Sequence, residues 1–116
     1  MNATQNIEQL LPLRPAVFGI LMVLRAEPLH GYGIMKRANR HVGHQALLGP
    51  GTLYRTLKEL RDAGFLQHTA APAPGADARR QYYGLTAAGN ELVAAEEARL
   101  RALLTADADA SLAAER

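Results

Sequence analysis

Between Gly51 and Phe65 the chain reads GTLYRTLKELRDAGF. Leu53, Leu57 and Leu60 recur there at the spacing of one helical face, while Arg55, Lys58, Glu59, Arg61 and Asp62 fall off it. The stretch predicts an amphipathic helix with one face for a core and the other for water or a partner. Gly49-Pro50-Gly51 breaks any preceding helix, Thr52 stands where a hydroxyl caps or lines the first turn, and Gly64 ends the pattern. Upstream, Pro15 favours the first turn of a helix from Ala16 to roughly Ala26. Its Val17, Ile20, Leu21 and Leu24 repeat at helical spacing, and Phe18, Met22 and Val23 make it apolar almost all round, as a central core helix should be. Pro28 ends that helix and Leu29-His30-Gly31-Tyr32 predicts a compact turn. The next helix, about Gly31 to Val42, sets Tyr32, Met35 and Ala38 or Asn39 in one line with Ile34 inward, and ends in basic Lys36, Arg37, Arg40 and His41. Leu47 and Leu48, in the connection from Gly43 to Gly51, are expected to plug the core edge. Ile7, Leu10, Leu11 and Leu13 make an apolar segment too short to be stable alone, which must lie against the body or a partner subunit.

After Gly64 the period changes. Phe65 to Thr69 and Arg79 to Leu85 predict two strands of a hairpin, joined by a long flexible tip, Ala70 to Ala78, that contains two prolines and a glycine. Tyr82 and Tyr83 must then point to opposite faces, one to the core and the other to the surface or to the groove between hairpin and body. Thr86 is the expected N-cap of a last helix from Ala87 to about Ala106, frayed beyond, with eleven alanines among residues 86–116 favouring it and Gly89 weakening its first turn. Leu92, Val93, Leu100, Leu103 and Leu104 form a thin apolar stripe interrupted by Glu96, Glu97 and Arg99. Two readings account for the stripe: a second copy of the chain covers it, which is the economical one, or the helix folds back across the first core helix.

The predicted fold is mainly α with a small β-hairpin. It is a winged helix-turn-helix domain over 15–85, preceded by an amino-terminal arm or short helix over 1–14 and followed by a C-terminal dimerisation helix and frayed tail over 86–116. In that plan the third helix enters the major groove of double-stranded DNA, and the hairpin, as the wing, reaches backbone or minor groove beside it.

Composition narrows the chemistry. A chain of 116 residues buries one modest core. The absence of cysteine removes disulfides, thiolate ligands and thiol nucleophiles, and is compatible with a reducing cytoplasm. Ala16 to Leu24 is well short of the roughly 20 apolar residues that span a bilayer, and the first residues lack the pattern of a signal peptide, so a cytoplasmic protein with no membrane partner is expected. The formal net charge of +2 hides an asymmetry: residues 1–85 carry ten Lys or Arg against five Asp or Glu, residues 86–116 three against six. A surface that meets phosphate should be locally positive, whereas a self-association surface need not be.

The residues expected at DNA follow from their places. Thr52, Tyr54 and Arg55 lie in the first turns of the reading helix, near backbone amides that favour phosphate. The Arg55 fork matches guanine O6 and N7, against the simpler reading of a solvated arginine. Tyr54 either packs half-buried beside the leucine stripe or contacts phosphate. Lys58 and Arg61 are phosphate anchors or solvated charge, and the same alternatives hold for Lys36, Arg37 and Arg40. Arg79 and Arg80 border the wing tip, where one touches phosphate while the other pairs with an acidic neighbour, and Asp77 argues against a strongly electrostatic wing. On the other side of the molecule, Leu10, Leu11, Leu92, Val93, Leu100, Leu103 and Leu104 are the expected dimerisation residues.

Four segments carry a family resemblance: Pro28-Leu29-His30-Gly31-Tyr32-Gly33-Ile34; Gly49 through Leu57; Gly64-Phe65-Leu66; and Arg79 through Gly89. In this order and spacing, over roughly residues 16 to 104, the chain resembles the PadR family of bacterial transcriptional regulators, in its small-tailed branch. The resemblance implies a homodimeric repressor of its own or a neighbouring gene on a palindromic operator, with DNA contacts at Tyr32 and the end of its helix, at Thr52, Tyr54, Arg55 and Lys58, and at the wing around Arg79 and Arg80. It also implies release by a small-molecule effector whose site the sequence does not locate. With no tryptophan the chain lacks the stacked-tryptophan drug pocket of some relatives, and the apolar tip from Ala70 to Ala76 departs from a charged wing.

Two other classes compete. His30, His41, His44 and His68 show no zinc spacing or local carboxylate partner, and Ser111 is the sole serine, so neither catalysis nor a cofactor or metal is expected. The other class is a winged-helix module that binds protein without specific DNA binding. Mixed charge on the reading helix and a weakly charged wing favour it, while Arg55, Lys58 and Arg61 oppose it.

Overall fold

The computed structural model describes residues 7–42 and 49–114. In chain order it contains α1 (Ile7–Leu10), α2 (Pro15–Ala26), β1 (Leu29–His30), α3 (Gly31–Val42), α4 (Pro50–Asp62), β2 (Leu66–Thr69), β3 (Tyr82–Leu85) and α5 (Ala87–Ala114). The readings made for Leu47, Leu48 and His44 fall outside the described residues. Pro15 opens α2 at a position where its missing N–H costs nothing. Ile20 and Leu21 are fully buried, with Val17, Val23 and Leu24 close behind, and α2 packs on α3, α5 and β3. It is the central helix that its pattern predicts. On α3, Ile34 and Ala38 face this core, while Tyr32, set in one line with Met35 and Ala38 by the sequence, is 58% exposed.

The sheet departs from the expected hairpin. Leu29 and His30, read as a turn, form a short third strand that pairs antiparallel with β3, Leu29 opposite Tyr83 and His30 opposite Tyr82. The strand order is β1-β3-β2, so β3 is central. That position removes the surface alternative for the two tyrosines, because both Tyr82 and Tyr83 are buried, and leaves the groove between hairpin and body. The third strand covers what would otherwise have been a solvent face: the His30 ring meets Tyr82 edge-on with centroids 5.6 Å apart. Tyr83 leans on His68 of β2, its register partner, at 4.9 Å. The tip is also more structured than expected, with turns closed from Ala76 N–H to the Ala73 carbonyl and from Arg80 N–H to the Asp77 carbonyl, both 3.1 Å.

A compact junction joins α4, β2 and α5. Gly64 takes φ +88°, a left-handed conformation suited to glycine, just after α4 ends. The Thr86 hydroxyl donates to the Gly64 carbonyl at 2.6 Å and accepts from Gly89 N–H at 3.1 Å, so Thr86 caps α5 as expected while tying it to the end of α4. Thr86 N–H bonds the Phe65 carbonyl at 3.1 Å. A Cβ on Gly89 would stand 2.1 Å from that same oxygen, so only glycine permits the approach.

The last helix divides in two. Its first half packs across α2, burying Leu92 and Val93 in the core of the single chain. This corrects their assignment to a dimer stripe, since their apolar surface is already removed from water by α2 and its neighbours. Leu100 is half-buried, and Leu103 and Leu104 are 58% and 73% exposed. The helix continues to Ala114, past the predicted fraying point.

Glu96, read as a polar interruption of the stripe, is 2% exposed. Its carboxylate accepts from Leu13 N–H at 2.6 Å and from Arg99 at 2.5 Å, anchoring the amino-terminal arm on α5. Hydrogen bonding from Arg99, helped by the Leu13 amide and against the opposing effect of burial, holds its carboxyl below the ordinary glutamate value. Within the arm, Ile7 is buried, Leu11 half-buried and Leu10 exposed.

Candidate nucleic-acid interface

The start of α4 is open. Gly49 is its N-cap and Pro50 its first residue, and no side chain caps it. Leu53 N–H bonds the Gly49 carbonyl at 2.9 Å, so the amides of Gly51 and Thr52 stand ahead of the helical ladder and point outward along the helix axis. Thr52 therefore lies inside the first turn and is not the cap. Leu53, Thr56, Leu57 and Leu60 are buried, and Thr52, Tyr54, Arg55, Lys58 and Arg61 are exposed. Thr56 completes the buried face, three residues after Leu53 and four before Leu60, where the helical period has room for it.

Tyr54 is 53% exposed, with its ring over Gly31 at the start of α3. A methyl at residue 31 would meet the phenol oxygen at 2.4 Å, so the glycine makes the seat for the ring. Tyr32 stands beside it, loosely stacked on His30 with centroids 6.5 Å apart.

The basic residues divide by partner. Lys58 bonds Asp62 one turn along α4 at 2.7 Å, which lowers the pKa of that carboxyl. Arg37 turns away from the end of α3 to pair with Glu27. Arg61 meets His68 Nε2 across to β2. Arg79 and Arg80 both engage Asp77, at 3.2 and 3.5 Å, whereas the sequence leads one to expect only one of them in such a pair. The Asp77 carboxyl is pushed below its ordinary value, chiefly by the Arg79 side chain and then by the Arg79 amide. Among the described residues, Lys36, Arg40 and Arg55 take part in no ion pair. The surface pairs are exposed and screened by water, so an arriving phosphate can displace a carboxylate from any of them.

Between α3, α4 and the base of the wing lies a cleft of about 300 Å³, lined by His30, Gly31, Tyr32, Tyr54, Arg80, Gln81 and Tyr83. His30 Nδ1 accepts from Gly33 N–H at 3.1 Å, and the Arg80 guanidinium lies 3.2 and 3.3 Å from the two ring nitrogens. Burial and then Arg80 lower the pKa of His30, with Asp77 opposing. Sequence reasoning missed His30 as a member of this face, whereas for one of Tyr82 and Tyr83 it allowed a place in the groove between hairpin and body, which Tyr83 takes. The only available signal was the spacing that brings Pro28-Leu29-His30-Gly31 beside the second strand of the wing. A second cavity, of about 250 Å³, lies behind α4 and includes Leu10, Leu13, Val17, Thr56, Leu60 and Phe65 in its lining.

Among the described residues no group of three or more His, Asp or Glu is placed to hold a metal ion, and no helix is long and apolar enough to cross a membrane. A family model, the transcriptional regulator PadR-like family, matches residues 20–95. Searched against curated proteins, the sequence has no match. The fold is similar to that of a PadR family transcription regulator from Clostridium difficile R20291, at 22% identity over 78% of this chain and 92% of that one, with a TM-score of 0.62. It is also similar to the PadR-like transcriptional regulator BC4206 of Bacillus cereus, at 19% identity over 90% and 94% with a TM-score of 0.66. A third similar structure is a mutant of Staphylococcus aureus MepR, at 21% identity over 92% and 72% with a TM-score of 0.69.

Proposed function

Because the chain belongs to the PadR-like family of transcriptional regulators, we propose that it is a sequence-specific double-stranded DNA-binding protein. In this reading it is a cytoplasmic homodimer that represses its own or a neighbouring bacterial gene from a palindromic operator and is released by a small molecule. The observation that carries DNA binding is the outer face of α4. Thr52, Tyr54 and Arg55 stand exposed at its open amino end, and among the described residues Arg55 is in no ion pair. The helix enters the major groove amino end first, Arg55 reads a base edge or grips a phosphate, and Tyr32, Lys36, Arg40, Lys58 and Arg61 lie on flanking backbone. Arg79 and Arg80 approach the backbone from the wing, exchanging Asp77 for phosphate. Arg37, occupied by Glu27, has the weakest case. Exposed Leu103 and Leu104 on the free half of α5, with Leu100, Leu10 and Leu11 nearby in the pattern, support self-association.

The test is binding of the purified protein to labelled DNA from immediately upstream of its own gene, at two salt concentrations, with Arg55→Ala alongside. We expect saturable binding that weakens with salt, survives nonspecific competitor and falls at least about tenfold in the variant. A folded dimer that binds neither this DNA nor any duplex selected from a random pool would refute the assignment. It would favour instead a winged-helix protein-interaction module, a reading supported by the carboxylates that already occupy Arg37, Lys58, Arg79 and Arg80.

A further inference from the structure

The cleft between α3, α4 and the wing contains a tyrosine whose ring belongs to the core while its hydroxyl faces the cleft. Tyr83 is 8% exposed, yet it lines the cleft, and among the described residues its hydroxyl has no hydrogen-bond partner. Since no buried side-chain oxygen or nitrogen among the described residues is left without a partner, this hydroxyl is not sealed in the core but reaches the open cleft. Burial, then the neighbouring Tyr54 phenol, raises its pKa against the pull of Arg61, so the hydroxyl keeps its proton and is a donor at neutral pH. Arg80 stands at the same cleft, fixed between the His30 ring and Asp77. The Tyr54 phenol lies at the rim over Gly31, and the amide of Gly33 is already taken by His30. The cleft thus offers phenol donors and a guanidinium that a phosphate would take over from Asp77, which stands outside the lining.

We propose that this cleft seats one phosphate of the DNA backbone, which receives the Tyr83 hydroxyl as a hydrogen-bond donor and the Arg80 guanidinium as its counter-charge. The proposal rests on the DNA-binding reading above and deepens it. Tyr83 becomes a positioning contact that sets the register of α4 against the wing and carries no base information. Tyr54 closes the rim, which explains why its ring needs a glycine beneath it. His30 holds the guanidinium in place, and because the imidazole is kept neutral it does so without adding a competing cation.

The experiment uses the full-length protein and a duplex recovered by selection from random-sequence DNA, read by fluorescence anisotropy. Tyr83→Phe, which keeps the ring and its packing, should weaken binding about tenfold, and equally for matched and mismatched duplexes. Arg80→Ala should reduce the slope of log affinity against log salt by roughly 1. Neutralising backbone phosphates one at a time with methylphosphonate should reveal one position per half-site at which the wild type loses more than Tyr83→Phe does, the variant losing there only the charge contact to Arg80. Wild-type binding with unchanged affinity in Tyr83→Phe and no coupled position would overturn the seat while leaving the DNA reader intact. Recovery of no duplex by the wild type would overturn both. A parallel titration with inorganic phosphate, followed by NMR of the tyrosine rings, separates the sources. Saturation of the Tyr83 signals by free phosphate with no coupled backbone position would make this a free-anion site and overturn the DNA seat.

Discussion

At Gly89 a single hydrogen decides whether two elements can meet. The sequence suggests only a weakened first turn for α5, but the Phe65 carbonyl passes so close that a methyl group would lie 2.1 Å from it. Since that oxygen is backbone, already bonded by Thr86 N–H, it cannot swing aside as a side chain would. Gly89→Ala should therefore destabilise the fold by about 1–3 kcal/mol despite alanine's better helix propensity, as overpacking does, with a lower midpoint in urea at unchanged slope. Gly31 faces the opposite situation. Its neighbour is the far end of the exposed Tyr54 side chain, which can turn into solvent, so Gly31→Ala should leave the urea midpoint nearly unchanged and lower DNA affinity by displacing the phenol.

At the level of elements, what could be read in advance was what repeats locally. Leu53, Leu57 and Leu60 announce α4 within one stretch of chain, and Pro15 with Val17, Ile20, Leu21 and Leu24 announces α2, so both helices, the wing and the exposed face of α4 were legible. Leu29-His30 was not, because two residues have no period and become a strand only when Tyr82 and Tyr83 arrive beside them. Nor was the employment of both wing arginines by Asp77, where the sequence led one to expect a single pair, because it depends on how the turn at Arg80 closes. Glu96 is the clearest case: its partner Leu13 lies 83 residues away, and a glutamate inside an apolar stripe otherwise reads as a flaw. Glu96→Gln should cost about 1–3 kcal/mol by replacing a charge-assisted bond with a neutral one. The carboxyl has a lowered pKa in the folded protein, so its contribution is present above the unfolded value of about 4.3 and is lost as pH falls through the folded one. Melting temperature measured from pH 7 down to pH 3 should thus drop more steeply in the wild type than in the Gln variant.

The molecule as a whole is elongated, 62 × 35 × 27 Å, with a radius of gyration of 16.3 Å where a compact chain of this length would have about 13 Å. Much of the excess is α5 leaving the body with Leu103 and Leu104 uncovered. Changing both to glutamate should convert a dimer to a monomer in sedimentation while leaving the core intact, because Leu92 and Val93 remain buried beneath. An unchanged sedimentation coefficient would place the interface elsewhere. In a symmetric dimer on DNA the two copies of α4 must lie about 34 Å apart, one duplex turn. The junction of Gly64, Phe65, Thr86 and Gly89 bears on that spacing. The residues just past the end of α4 are hydrogen-bonded to the cap of α5, and the first half of α5 is itself clamped on α2, so the end of one helix and the start of the other are locked as a mitred corner. A force that shifts this clamped half would carry α4 with it, without any contact on the exposed face of α4.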